Sequence, residues 1–253
     1  MSKNKKKPWL FRFVKSAVRL FYPKIEVVGL ENLPEEPCAI IGNHTQLHGP
    51  IACELYFFDN FYTWCAAQMM ELKEVPAYSY NDFWSQKPKL LRPFFKLVSY
   101  IIAPLSVLLF NNARTIAVHK DSRILSTFRE SISKLQNNNN VIIFPEHDQK
   151  HNNIIYDFQE GFVDIARLYY KRTGKELSFV PLYIAPKLKK MYLGKAITFS
   201  PDTPITEERR RICNYLMEEI TAIARSLPEH TVIPYRNIPK KLYPKNTQKE
   251  ADE

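Results

Sequence analysis

Three short stretches of this chain carry apolar residues almost without interruption: 38–42 (Cys-Ala-Ile-Ile-Gly), 141–145 (Val-Ile-Ile-Phe-Pro) and 178–184 (Ser-Phe-Val-Pro-Leu-Tyr-Ile). Runs this short and this rich in Ile and Val are strands covered on both faces. Between them the hydrophobic period changes to that of helices. Pro50 opens a helix to about residue 58, and 122–136 places Ile124, Leu125, Phe128, Ile132 and Leu135 on one side. Further helices are expected over 161–171 and 206–226, and weaker strands over 24–29, 115–118 and 196–199. This alternation predicts an α/β fold, a mostly buried mixed sheet flanked by helices. At 253 residues, with no internal repeat and no Gly- or Ser-rich linker, the chain reads as one domain over 24–235. A basic segment, 1–23, precedes it, and a polar, lysine-rich tail, 236–253, follows with its end expected to be disordered.

The N-terminal segment starts with a lysine run and continues Trp9-Leu10-Phe11-Arg12-Phe13. Leu10, Phe13, Val14, Ala17 and Phe21 recur at helical spacing, opposite Arg12, Lys15, Ser16 and Arg19. That pattern predicts a basic amphipathic helix suited to the headgroup layer, although a core-packing helix with a solvated basic face would look the same. No apolar h-region or small-residue cleavage site marks a signal peptide. A second apolar stretch, 97–110, is short of the ~20 residues that span a bilayer, and Pro104 is expected to interrupt it. It reads as a core helix or a membrane-dipping element, with no clear transmembrane helix. The chain is therefore expected at the cytoplasmic face of a membrane, peripheral or monotopic.

The net charge of +10 favours anionic partners: a membrane surface, an acidic carrier protein or nucleic acid. No nucleic-acid motif accompanies that charge, so nucleic acid is not expected as a partner. Arg209 to Arg211 and the 187–190 run could instead dock an acidic acyl carrier protein. The four cysteines lack metal-like or framework spacing, so neither a metal nor a disulfide is expected.

Chemistry gathers after two buried strands, where ligands of α/β proteins usually bind. The first loop is Asn43-His44-Thr45-Gln46-Leu47-His48-Gly49-Pro50. The second is Phe144-Pro145-Glu146-His147-Asp148-Gln149-Lys150-His151, which crowds titratable groups as tuned sites do. Taken with Ile116-Ala117-Val118-His119-Lys120 and Val180-Pro181-Leu182, these segments resemble the four ordered blocks of the glycerolipid acyltransferases, a family that includes the lysophosphatidic acid acyltransferases. The spacings fit as well, at about seventy, twenty-five and thirty-five residues.

The resemblance implies a membrane-associated enzyme that moves a fatty acyl group from acyl-CoA or acyl-acyl carrier protein to a hydroxyl of a lysolipid acceptor, without a cofactor. His44 would take the hydroxyl proton, with Glu146, His48 and Asp148 as further catalytic candidates. Asn43, Lys120, Phe144, Pro145, His147 and Lys150 would line the substrate site. The chain departs from the family at two places. Gly49 stands where the family has the Asp that orients the histidine, and His147 to Lys150 replace a Gly-Thr-Arg-Ser phosphate clamp. Three readings follow. Glu146 or Asp148 orients His44, or His48 shares its work; the acceptor differs; or the chain is a catalytically silent lipid-binding member.

Overall fold

The structure is a computed structural model that describes residues 7–85, 88–119 and 121–248. The chain divides into two compact units. One comprises residues 24–63 and 128–253, and the other residues 1–23 and 64–127.

The larger unit is built on a sheet. Its strands are β1 (Glu26–Val28), β2 (Ala39–Gly42), the start of β3 (Phe61–Ala66), β5 (Asn140–Ile143), β8 (Ser178–Ala185), β9 (Lys190–Leu193) and β10 (Ile197–Thr198). The strand order is β1-β9-β8-β2-β5-β3, with β10 beside β8. The central pairings β2·β5, β2·β8 and β3·β5 are parallel, while β9 and β10 run antiparallel to β8. The sheet is thus mixed, as its sequence predicts. Ile40, Ile142 and Val180 sit side by side in its register, each without measurable exposure. The flanking helices are α2 (His48–Tyr56), α5 (Ile124–Gln136, which crosses the division), α6 (Asp164–Thr173) and α7 (Ile205–Ser226). Helix α7 buries Ile212, Leu216, Ile220 and Ala224, a stripe at helical spacing. Gly174, at φ +72°, ends α6 in the left-handed conformation that glycine adopts without steric cost.

Two features of this unit depart from the sequence reading. The second loop forms a two-stranded ribbon, β6 (Glu146–Lys150) with β7 (Tyr156–Phe158). The polar tail folds through residue 248: Asn246 donates to the carbonyls of Ala224 (2.8 Å) and Leu227 (3.2 Å) and accepts from the His230 amide (2.8 Å). It satisfies carbonyls that the end of α7 leaves without helical partners. The tail's last residues, 249–253, lie outside the described residues. Two of the three arginines expected to dock a carrier protein are also spent on their own fold. Arg209 holds Asp164 with two bonds (2.6 and 3.1 Å), and Arg211 holds Glu208, which is buried (2.6 and 2.8 Å).

The smaller unit holds α1 (Trp9–Phe21), the end of β3, α3 (Val75–Ser79), α4 (Arg92–Asn112) and β4 (Thr115–Val118). Helix α1 covers the expected span, yet Trp9, Phe13 and Phe21 are 75%, 65% and 86% exposed, and only Phe11 is buried. Helix α4 corrects the expected break, because it runs through Pro104 for 21 residues. With the turn before it, Lys89–Asn112 is long and apolar enough to cross a membrane by length and composition. Ser99, Ala103 and Ser106 face inward, and Leu90, Phe94, Leu97, Ile101 and Leu105 form an exposed apolar stripe on the other side.

Candidate active site

Strands β2 and β5 end side by side while β8 runs on beside them to Ala185, and the candidate residues begin where β2 and β5 stop. Asn43, the first residue past β2, is buried, and its amide is engaged on β8. It accepts from the Ile184 N–H (2.7 Å) and donates to the Ile184 carbonyl (3.1 Å). Each end of the amide thus makes one bond to β8, so Asn43 locks the end of β2 in place.

His44 follows, and its main chain is fixed on both sides. Its N–H donates to Glu146 Oε1 (2.5 Å), and its carbonyl accepts from the Gly49 N–H (3.2 Å). Between these points Thr45 and Gln46 take positive φ values of 46° and 56°, a conformation that costs about 1–3 kcal/mol per non-glycine residue. The imidazole lies edge-on to Phe144 (5.4 Å) and Tyr235 (5.8 Å). Its Nδ1 is buried without a hydrogen-bond partner among the described residues. Burial lowers the pKa of His44 to about 4, with the Gln46 backbone pulling weakly the other way. The ring is neutral at pH 7 and can accept a proton.

Glu146 does not orient that ring. It is buried, its other oxygen accepts the Tyr156 N–H (2.8 Å), and it ties His44 to β7 through the main chain. Burial raises its pKa to about 7 against the two amide bonds, which favour the carboxylate. Asp148 does not orient the ring either. It is exposed and pairs with Arg236 (2.9 Å), because it lies on the solvent side of the β6–β7 ribbon. The position of the family Asp is sterically closed: a Cβ at Gly49 would stand 2.7 Å from the His44 carbonyl and 3.1 Å from the Phe144 ring.

His48 opens α2, half-buried, and its pKa is lowered first by burial and then by Lys187 and Lys240. His147 contacts Asp157 (3.5 Å). Pro145 is buried and accepts from the Gln159 N–H (3.0 Å), whereas Lys150 is exposed. Lys120 lies outside the described residues. The sequence reading missed Tyr235, Arg236 and Tyr243, which the folded tail brings to the His44 loop. Gln46 donates to the Arg236 carbonyl (3.3 Å) and to the Tyr243 hydroxyl (2.9 Å). No short-range pattern announces contacts that span about 190 residues of sequence.

A half-buried, neutral histidine at the carboxyl ends of parallel strands is a site for proton abstraction, the chemistry of a group-transfer enzyme. Residues 24–185, well over half of the chain, match the sequence model described as Acyltransferase, and the chain belongs to that family. Among solved structures it is similar to the 1-acyl-sn-glycerophosphate (LPA) acyltransferase PlsC from Thermotoga maritima, at 15% identity and a TM-score of 0.44, over 84% of this chain and 81% of that one. No curated protein matches the sequence.

Proposed function

We propose that this acyltransferase moves a fatty acyl group from a thioester, acyl-CoA or acyl-acyl carrier protein, to a hydroxyl of a lysophosphatidic-acid-like glycerolipid at a membrane surface. The observation that carries the reading is His44, a neutral base fixed where the parallel strands end. The imidazole takes the acceptor's hydroxyl proton as the oxygen attacks the thioester carbonyl. Collapse of the tetrahedral adduct breaks the carbon–sulfur bond, and the imidazolium returns the proton to the leaving thiolate. The products are an ester and a free thiol. The membrane part of the reading is supported by the apolar stripe of α4 and the exposed aromatics of α1.

With no carboxylate on its ring among the described residues, His44 is a weaker base than a histidine with an acid behind it; where that acid has been removed from a catalytic triad the loss is about four decades of rate. The same observation, with the closed position at Gly49, favours a second reading: a catalytically silent lipid-binding member. Thiol release from palmitoyl-CoA and palmitoyl-acyl carrier protein, with a panel of lysolipid acceptors, separates the two. Release that disappears in His44→Ala supports transfer. Its absence with every acceptor, alongside intact binding to anionic liposomes, supports the silent reading.

A further inference from the structure

A histidine meant to accept a proton needs its ring held, and the usual holder, a carboxylate, is absent from the His44 imidazole among the described residues. Beside the Gln46 backbone, the ring is confined by two aromatic edges. Phe144 comes with β5, but Tyr235 belongs to the tail, nearly 200 residues away in sequence. The same tail reaches the turn after His44. The Gln46 side chain spends both of its N–H donors on the tail, one on the Arg236 carbonyl and one on the Tyr243 hydroxyl. That turn has positive φ at two successive non-glycine residues, so it persists only while its surroundings hold it. The tail is itself pinned at its root. Tyr183 donates to His230 Nε2 (2.8 Å), and His230 Nδ1 donates to the Pro228 carbonyl (2.8 Å). Asn246 closes the end, and Val232 bonds back to Pro244 (2.9 Å).

We infer that the C-terminal strap, through Tyr235 on the ring and Tyr243 on Gln46, positions His44 for proton transfer in place of the missing carboxylate. This deepens the acyl-transfer reading and rests on it for the rate, but not for the state of the ring. Tyr235 removes solvent from the imidazole, so its loss should return the ring toward the basicity of a solvated histidine. The groups set around His44 are Glu146 behind its amide and Tyr156 beside Tyr235; His48, four residues on, has Lys187 and Lys240 as its own charged neighbours. The Asp148–Arg236 pair lies at the rim.

The test uses the full chain in nanodiscs with 13C-labelled histidine, the His44 signal being the one lost in His44→Ala. Tyr235→Leu should raise the proton affinity of His44 at least tenfold and lower kcat for thiol release about tenfold with KM nearly unchanged. Tyr235→Phe, which keeps the ring, should behave as wild type. Tyr243→Phe, which keeps the ring but removes the nearer of the two Gln46 acceptors, should lower kcat about threefold. A His44 titration in Tyr235→Leu that matches wild type overturns the proposal, as does a loss that Tyr235→Phe shares. If wild type releases no thiol with any acceptor, the acyl-transfer reading fails, and the titration alone decides whether the strap sets the ring.

Discussion

The two units treat apolar residues in opposite ways. In the sheet unit, hydrophobic runs are interior: β2, β5 and β8 bury nearly every side chain, and few large apolar groups, Leu30, Leu47, Tyr170 and Leu242, remain on its surface. In the other unit, many large apolar side chains are exposed, chiefly along α4 and on α1. Water alone does not favour such a surface, and contiguous apolar patches of this kind mark contact with lipid or protein. Hydrophobicity therefore does two things in one chain: it forms a core in the sheet unit and an exposed apolar face in the α1–α4 unit. Chemistry and attachment should be separable by mutation.

The largest expected effect separates them directly. His44→Ala should lower kcat for thiol release by about 10²–10⁴, the usual worth of a general base, and leave liposome binding unchanged. A fall in binding of the same size would merge the two roles. The converse variant, Phe94→Glu, Leu97→Glu and Ile101→Glu together, places three charges on the exposed stripe of α4. Partition to phosphatidylglycerol vesicles should fall about a hundredfold, with the thermal melt little changed. Normal partition would show that the stripe serves a protein contact instead.

Gly49→Asp tests whether the missing carboxylate is an omission that one substitution repairs. The added Cβ meets a backbone carbonyl at 2.7 Å, and a backbone cannot swing aside as a flexible side chain can. The variant should lose about 1–3 kcal/mol of stability, as overpacked sites do, with no gain in thiol release. A large gain would mean that the loop relaxes and that the strap is not what holds His44.

The same contrast governs what could be read from the sequence. The core strands were legible because continuous Ile and Val runs have few other uses, and so was the position of His44 at the end of one. Helix α4 was read too short, since Pro104 normally removes a helical bond and clashes with the preceding turn; here the helix continues past it. The ribbon β6–β7 gave no signal because its pattern is one buried glutamate followed by solvent-facing polar residues. The site's completion by Tyr235 and Tyr243 was invisible for a third reason. A lysine-rich tail resembles disorder by composition, and what holds it, an asparagine capping a distant helix end and a few other long-range bonds, leaves no local pattern.

The smallest effect concerns how Glu146 holds His44. Glutamate offers two acceptors to two N–H donors, whereas Glu146→Gln turns one acceptor into a donor facing a donor. That mismatch should cost about 1–3 kcal/mol at any pH. A pH dependence adds to it. The pKa of Glu146 is raised from 4.5 to about 7, so its titration contributes stability that is full below 4.5 and lost as pH rises through 7. The pKa of His44 is lowered from 6.5 to about 4, so its contribution is present above 6.5 and lost as pH falls through 4. In wild type the two trends oppose each other between 4.5 and 6.5. In Glu146→Gln only the His44 trend remains, so the melting-temperature gap from wild type should widen from pH 8 to pH 5. A gap that narrows toward pH 5 would mean that Glu146 acts as a carboxylate throughout, with its two amide bonds outweighing its burial.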